Sequence, residues 1–167
     1  MAATDDIIII SVKPEHARNI IVGRKTVELR RRFADTSAIG RWMLIYSSSP
    51  EKALIGAVRI ANVRRMAVGT LWRAFGEQAC VPRAAFLDYF SGVTEGVGVI
   101  LGPVVRFDPA ISASELRERF SFCPPQSYRY IRGPLTDLLD DERIQIPDRH
   151  QRSDWSRGQL PSRCEAY

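Results

Sequence analysis

The sequence predicts an α+β protein built on a small, twisted, mostly antiparallel β-barrel with flanking helices. Three observations predict it. Apolar, β-branched runs of strand length recur between turn residues along most of the chain. Helical patches interrupt those runs irregularly, so the regular βαβ alternation of a parallel sheet is missing. Glycine and proline also fall inside the strand runs, at Gly56 and at Gly102-Pro103, where a barrel must bend.

Taken in order, Ile7 to Lys13 reads as a buried strand. Pro14 suits the first turn of a helix that runs to about Val22, with Ala17, Ile20 and Ile21 inward and Gly23 as its stop. Thr26 to Arg32 reads as a second strand. Its period of two places Thr26, Glu28, Arg30 and Arg32 on one face and Val27 and Leu29 on the other. Gly40 and Arg41 lead into a third strand, Trp42 to Tyr46, and a turn of Ser47, Ser48, Ser49 and Pro50 follows. Ala53 to Val63 is a long fourth strand with a bulge or bend at Gly56.

A helical insert occupies about residues 67–91. Its first helix starts at Leu71 with Thr70 as cap, and its second is opened by Pro82 and stopped at Gly92. Gly96 to Phe107 resumes strand character, broken at Gly102-Pro103. Ser112 and Glu115 form a capping box for a helix through Phe120, and Tyr128 to Ile131 is a last short strand. Trp42 and Trp72 are expected in the core. The domain is read as residues 1–139. Beyond it, 140–167 is a polar tail, surface-draped or disordered, in which Trp155 and Arg157 are candidates for a lid.

At 167 residues, 45% hydrophobic and 26% charged, the chain has the composition of one soluble globular domain. Ile7 to Ile10 is too short to span a bilayer, and Asp5 and Asp6 precede it where a secretory leader carries positive charge. No membrane partner and a cytoplasmic location are therefore expected. Cys80, Cys123 and Cys164 are far apart, and the histidines are His16 and His150, so no zinc-ligand spacing exists and no cofactor is expected. Nucleophile elbows, phosphate-cradling glycine loops and metal-binding helix motifs are missing as well.

The formal charge is +5, and its position is informative. Residues 13–32 hold seven cations (Lys13, Arg18, Arg24, Lys25, Arg30, Arg31, Arg32) against Glu15 and Glu28, which accounts for the whole excess. Such a segment is a candidate footprint for a polyanion, and a solvated basic face is the bland alternative. Within it, Gly23-Arg24-Lys25-Thr26-Val27-Glu28-Leu29-Arg30 turns a helix directly into a cation-rich strand. Lys25 falls at the mouth of any cleft between helix and barrel. A carboxylate among cations, Glu28, can orient a base amino group or act as general base. A lysine crowded by arginines is one route to a nucleophilic amine. The alternative is an ordinary surface network of Glu28 with Arg30 or Lys25.

A second constellation is Gln126-Ser127-Tyr128-Arg129-Tyr130, held extended by Pro124 and Pro125. Aromatic rings interleaved with an arginine and an amide can stack on bases and bond their edges, although Tyr128 and Tyr130 can equally close the core. The hydroxyl of Ser48 is a further candidate contact.

The run from Ser11-Val12-Lys13-Pro14 through Arg30 resembles the amino-terminal motif of ASCH domains, a branch of the PUA-like superfamily. Ile45-Tyr46-Ser47-Ser48-Ser49-Pro50, Leu54-Ile55-Gly56 and Pro124 to Tyr130 add to the likeness, which spans about residues 7–131 and looks like a bacterial group of predicted regulators. The resemblance implies a barrel flanked by helices with a cleft lined by Lys25, Glu28 and Arg30. It also implies RNA or nucleotide binding, with DNA as a second candidate partner. Some members are hydrolases: one kind deacetylates N4-acetylcytidine, another is a ribonuclease. In the amidohydrolase kind a lysine at the position of Lys25 is catalytic, with a threonine three residues on and an acid downstream. Here Glu28 replaces that threonine, and Glu77 lies in the region of the acid.

The sequence thus points first to an RNA-binding domain with a basic cleft. Its expected contacts are Lys13, Arg24, Lys25, Thr26, Glu28, Arg30, Arg32, Ser48, Gln126, Ser127, Tyr128 and Arg129. The alternative is a hydrolase of RNA or a modified nucleoside using Lys25 and Glu28. An interaction domain whose charge is incidental is the third reading.

Overall fold

A computed structural model describes residues 7–147. The chain order is β1 (Ile8–Val12), α1 (Pro14–Ile21), β2 (Val27–Arg30), a 3₁₀ turn (Thr36–Ala38), β3 (Trp42–Ser47) and β4 (Ala53–Ala67). There follow α2 (Val68–Phe75), α3 (Arg83–Tyr89), β5 (Glu95–Ser112), α4 (Ala113–Phe120), β6 (Tyr128–Tyr130) and a 3₁₀ helix (Gly133–Asp140). The strands form one sheet in the order β2-β5-β4-β3-β1-β6. Its ladders are antiparallel except between β1 and β3. The class is α+β, as the irregular alternation predicts, and the sheet is a curled half-barrel.

The barrel does not close through backbone pairing. β2 and β6 are the sheet's two edges, and side chains link them instead. An Arg30 guanidinium N–H donates to Ser127 Oγ at 2.7 Å, and the Phe33 and Tyr128 rings lie 4.8 Å apart. This seam is where the two candidate constellations meet.

Strand alternation sorts the core into two faces. On one, Ile7, Ile9, Trp42, Leu44 and Tyr46 pack with Leu116 of α4, Phe122 and Leu138. On the inner face of the half-barrel, Ile8, Ile10, Met43, Ile45, Val97 and Val99 pack with Ala17 and Ile20 of α1. Trp42 is buried, whereas Trp72 is half-buried with its ring 4.9 Å from Phe86. A third cluster joins Val27 and Leu29 to Leu71, Phe86 and Phe90 of the insert. The insert packs closely because Gly98 lacks a side chain: a Cβ there would sit 2.9 Å from the Phe75 ring.

Several boundaries differ from the sequence reading. β2 ends at Arg30, so Arg32 lies beyond the strand and off its polar row. Thr70 is inside α2 and caps nothing. The helix leaves β4 directly, with Ala67 as its N-cap, and Thr70 Oγ1 accepts from Arg73. Gly102-Pro103 does not break β5, because the long partner strand β4 holds both sides of it. The register steps from Ile60–Leu101 to Val58–Val104, absorbing one extra residue as a bulge. Gly56 does mark a register shift, and Ser112 does cap α4, its Oγ accepting from Glu115 N–H at 3.3 Å.

Past Asp140 the chain stays packed through the last described residues. Ile144 and Ile146 join the first core cluster, and buried Asp141 accepts from Arg119 at 2.6 Å and from Arg143 at 2.8 Å. The proposed roles of Trp155 and Arg157 lie outside the described residues. Among the described residues no helix is long and apolar enough to cross a membrane.

Candidate functional site

Gly23 lets the chain reverse between helix and strand. It follows the α1 cap with φ of 78°, a conformation that costs a glycine little. Lys25 N–H then donates to the Asn19 carbonyl, and Thr26 and Val27 N–H both donate to the carbonyl of Gln78. The turn at the end of α2 thereby clamps the start of β2. Lys25 is driven inward, 2% exposed, and its Nζ donates to the Ala79 carbonyl at 2.5 Å.

β2 is inside out relative to a usual barrel strand. Glu28 pairs with Val99 and Arg30 with Val97, on the inner face, while Val27 and Leu29 turn outward beneath α2 and α3. The insert is what makes this tolerable, since it supplies a second apolar layer for the outward face. Glu28 and Arg30 are consequently buried, at 5% and 9% exposure. Glu28 bridges Lys25 and Arg30, at 3.3 Å to each. Arg30 also donates to the Ser11 carbonyl and to Ser127 Oγ. The surface-network reading of this trio therefore fails: it is a buried network of two cations and one carboxylate.

Lys25 and Arg30 border a cavity of about 220 Å³, with Glu28 between them behind its lining. Ser11, Lys13, His16, Lys25 and Arg30 line it together with Phe86 and Tyr89 of α3 and Phe90, the residue that caps α3. The volume is below the roughly 300–1,000 Å³ of sites for drug-sized ligands, so it suits one small flat or anionic group. Two nitrogens of lining residues, His16 Nδ1 and Arg30 Nε, are themselves enclosed and have no hydrogen-bond partner among the described residues. Each such orphan costs about 1–3 kcal/mol. Burial, helped by the nearby Lys25 charge, holds the His16 pKa below its ordinary 6.5, against the opposing pull of Glu28 and Glu15.

The remaining expected contacts are dispersed. Lys13 is exposed and lines the cavity, Arg24, Thr26 and Arg32 are exposed and outside its lining, and Ser48 is half-buried in the turn after β3. Gln126 is exposed, and Ser127 lies on the seam. Tyr128 and Arg129 point to opposite faces of β6: Tyr128 packs on Phe33, while the Arg129 guanidinium stands 5.4 Å over Phe122. Glu77 is exposed and does not line the cavity. The same turn meets β2 through its backbone carbonyls.

Sequence reasoning missed His16, Ser11 and the α3 aromatics. Phe86, Tyr89 and Phe90 have helical i, i+3, i+4 spacing, which signals a buried face without saying what it faces. Among the described residues no group of three or more His, Cys, Asp or Glu side chains is placed to hold a metal.

The fold and the buried Lys25–Glu28–Arg30 network define a PUA-like half-barrel with a charged pocket at its seam. Residues 10–109 match the model of the ASCH domain, and the chain belongs to the ASCH domain family. It is 34% identical over 132 residues to the ASCH domain-containing ribonuclease of Zymomonas mobilis, an alignment covering 78% of this chain and 88% of that protein. The crystal structure of ASCH from Zymomonas mobilis superposes with a TM-score of 0.75 at 31% identity, covering 81% of this chain and 94% of that one. Human THYN1, solved in complex with 5-methylcytosine containing DNA, shares the fold at 10% identity with a TM-score of 0.51, over 85% of this chain and 99% of that one.

Proposed function

We propose that the protein binds single-stranded RNA and seats one nucleotide in the cavity between β2, α1 and α3. The observation that carries this is the buried charge imbalance: Lys25 and Arg30 against Glu28 alone, beside an open space walled by aromatic rings. Uncompensated buried positive charge is costly, and a phosphate or a base carbonyl is the group that offsets it. Glu28, paired with both cations behind the lining, would hold Lys25 and Arg30 in place, and the α3 rings would cover the base face. Lys13, Arg24 and Arg32, exposed nearby, would take backbone phosphates.

Ribonuclease activity is the second reading, favoured by the relative named for that activity at 34% identity. In that case Lys25 and Arg30 would stabilise charge developing on the scissile phosphate, and Glu28 or His16 would exchange protons with the ribose hydroxyl.

One experiment separates them. Labelled single-stranded RNA and N4-acetylcytidine are incubated with wild type and with Lys25→Met, and both binding and product mass are read. Binding weaker by roughly tenfold or more in Lys25→Met is expected, since removing one member of a buried charge network leaves the others unpaired. Product from wild type only would make the site catalytic, whereas RNA binding without product would make it a reader. Unchanged RNA affinity in a folded Lys25→Met would sink both.

A further inference from the structure

We propose that the seam of the half-barrel is a second contact surface, an aromatic–arginine track along β6 that carries single-stranded RNA onward from the cavity. This rests on the reading of the cavity as the seat of one nucleotide. The starting point is the alternation of β6. Tyr128 and Tyr130 pair with Ile10 and Ile8 and pack against the inner core, while Arg129 faces the other way. Both tyrosines are only half-buried, so part of each ring remains at the surface.

Arginines from three separate parts of the chain converge on these rings. Arg41, from the turn before β3, and Arg132, just past β6, lie over Tyr130 at 5.8 and 5.2 Å from its centroid. Arg65 of β4 is close enough for its charge to act on Tyr128. The register confirms its side of the sheet, because Arg65 pairs with Val97 and Val97 pairs with Arg30. Asp35 is the acid that acts on the same tyrosine, and Arg41 acts on Asp35 in turn.

A guanidinium plane held over a tyrosine is a surface on which an unpaired base stacks, while its charge reaches the neighbouring phosphate. The track is also continuous with the cavity. Arg30 lines the cavity and donates to Ser127, the residue before Tyr128. From Ser127 to Tyr130 the strand covers roughly 10 Å, enough to displace the chain of a bound RNA beyond the first nucleotide. A duplex has its base faces already stacked, so the track selects single strands.

The test is a polarisation assay with a labelled single-stranded RNA of about ten nucleotides, competed by a free cytidine monophosphate. Wild type is compared with Arg132→Gln, which changes an exposed side chain, and with Tyr130→Leu, which keeps most of the packing volume. Loss of the stack should weaken the oligomer by roughly fivefold or more and leave the mononucleotide unchanged. Arg132→Gln should also reduce the salt slope by about one. Wild-type oligomer affinity in both variants, with Lys25→Met still defective, would overturn the track and leave the cavity reading intact. Equal weakening of duplex RNA would overturn the stacking role. A Lys25→Met protein that binds normally, alongside a defective Arg132→Gln, would instead overturn the cavity reading and keep the track.

Discussion

His16 shows how much a single side chain's environment matters here. It sits on α1 with Nδ1 buried and without a partner among the described residues, and its pKa is lowered chiefly by burial and then by the Lys25 charge. The unfolded chain therefore binds the His16 proton more tightly than the folded one. The stabilising contribution is fully present above the ordinary histidine pKa of 6.5 and is lost as pH falls through the folded value. Urea midpoints for wild type and His16→Gln should diverge between about pH 7.5 and 5, with the wild type losing more. Parallel pH curves for the two proteins would show that folding leaves the His16 pKa where it is in the unfolded chain. Below that pH a charged His16 would add a fourth cation, after Lys13, Lys25 and Arg30, to the cavity lining, so anion affinity should rise as stability falls.

At the scale of elements, β2 and β6 were legible as strands, but what each face meets was not. The alternation of Val27 and Leu29 with Glu28 and Arg30 predicts one apolar and one charged face, and the strand has both. Which face looks into the half-barrel depends on α2 and α3, far along the chain, covering the apolar side. A local period specifies opposition of faces and carries no information on which neighbour arrives. β6 repeats the point: Tyr128 and Arg129 alternate in sequence and so cannot serve one ligand together, and the arginines that do reach its rings come from elsewhere in the chain.

The segment after the 3₁₀ helix is held by charge as well as by Ile144 and Ile146. Arg143 bonds Glu115 and Asp141, and Arg119 bonds both as well. Bonds from Arg143, reinforced by Arg119, hold the Asp141 carboxyl well below the usual carboxylate range, despite the opposing effect of burial. The Glu115 carboxyl is lowered by the same two arginines. Asp141→Asn should destabilise the protein by about 2 kcal/mol near neutral pH. That difference should shrink in acid, because a lowered carboxylate pKa gives stability that is fully present above the unfolded value and is lost progressively as pH falls toward and through the folded one. Thermal midpoints at pH 7 and at about pH 3 check this; an equal deficit at both would mean that packing, and not charge, holds the segment.

On the scale of the whole molecule, an open seam concentrates the basic excess. The first polar strand and the last short one are sheet edges brought together by curling, so Arg30, Ser127, Phe33 and Tyr128 become neighbours. Arg31 and Arg32 follow β2 on the outside, exposed, and the Arg31 backbone N–H donates to Tyr89 Oη at the cavity wall. On the proposed RNA-binding reading they would neutralise phosphates without contributing to the core. Arg31→Ala and Arg32→Ala should each lower the slope of log affinity against log salt by about one, with the fold unchanged. A salt response that is flat in wild type would remove the polyanion reading of this surface altogether.

The sequence by itself determined the class of the fold, most strand and helix positions and the basic segment, and it singled out Lys25, Glu28 and Arg30 as candidates. These follow from local period, capping chemistry, charge and motif, all carried by residues near one another in the chain. Only the tertiary structure decided that the trio is buried, that His16 and the α3 aromatics complete its cavity, and that Arg41, Arg65 and Arg132 gather at the β6 tyrosines. Each of those depends on long-range pairing and on the curl of the sheet, which bring together groups that no local pattern connects.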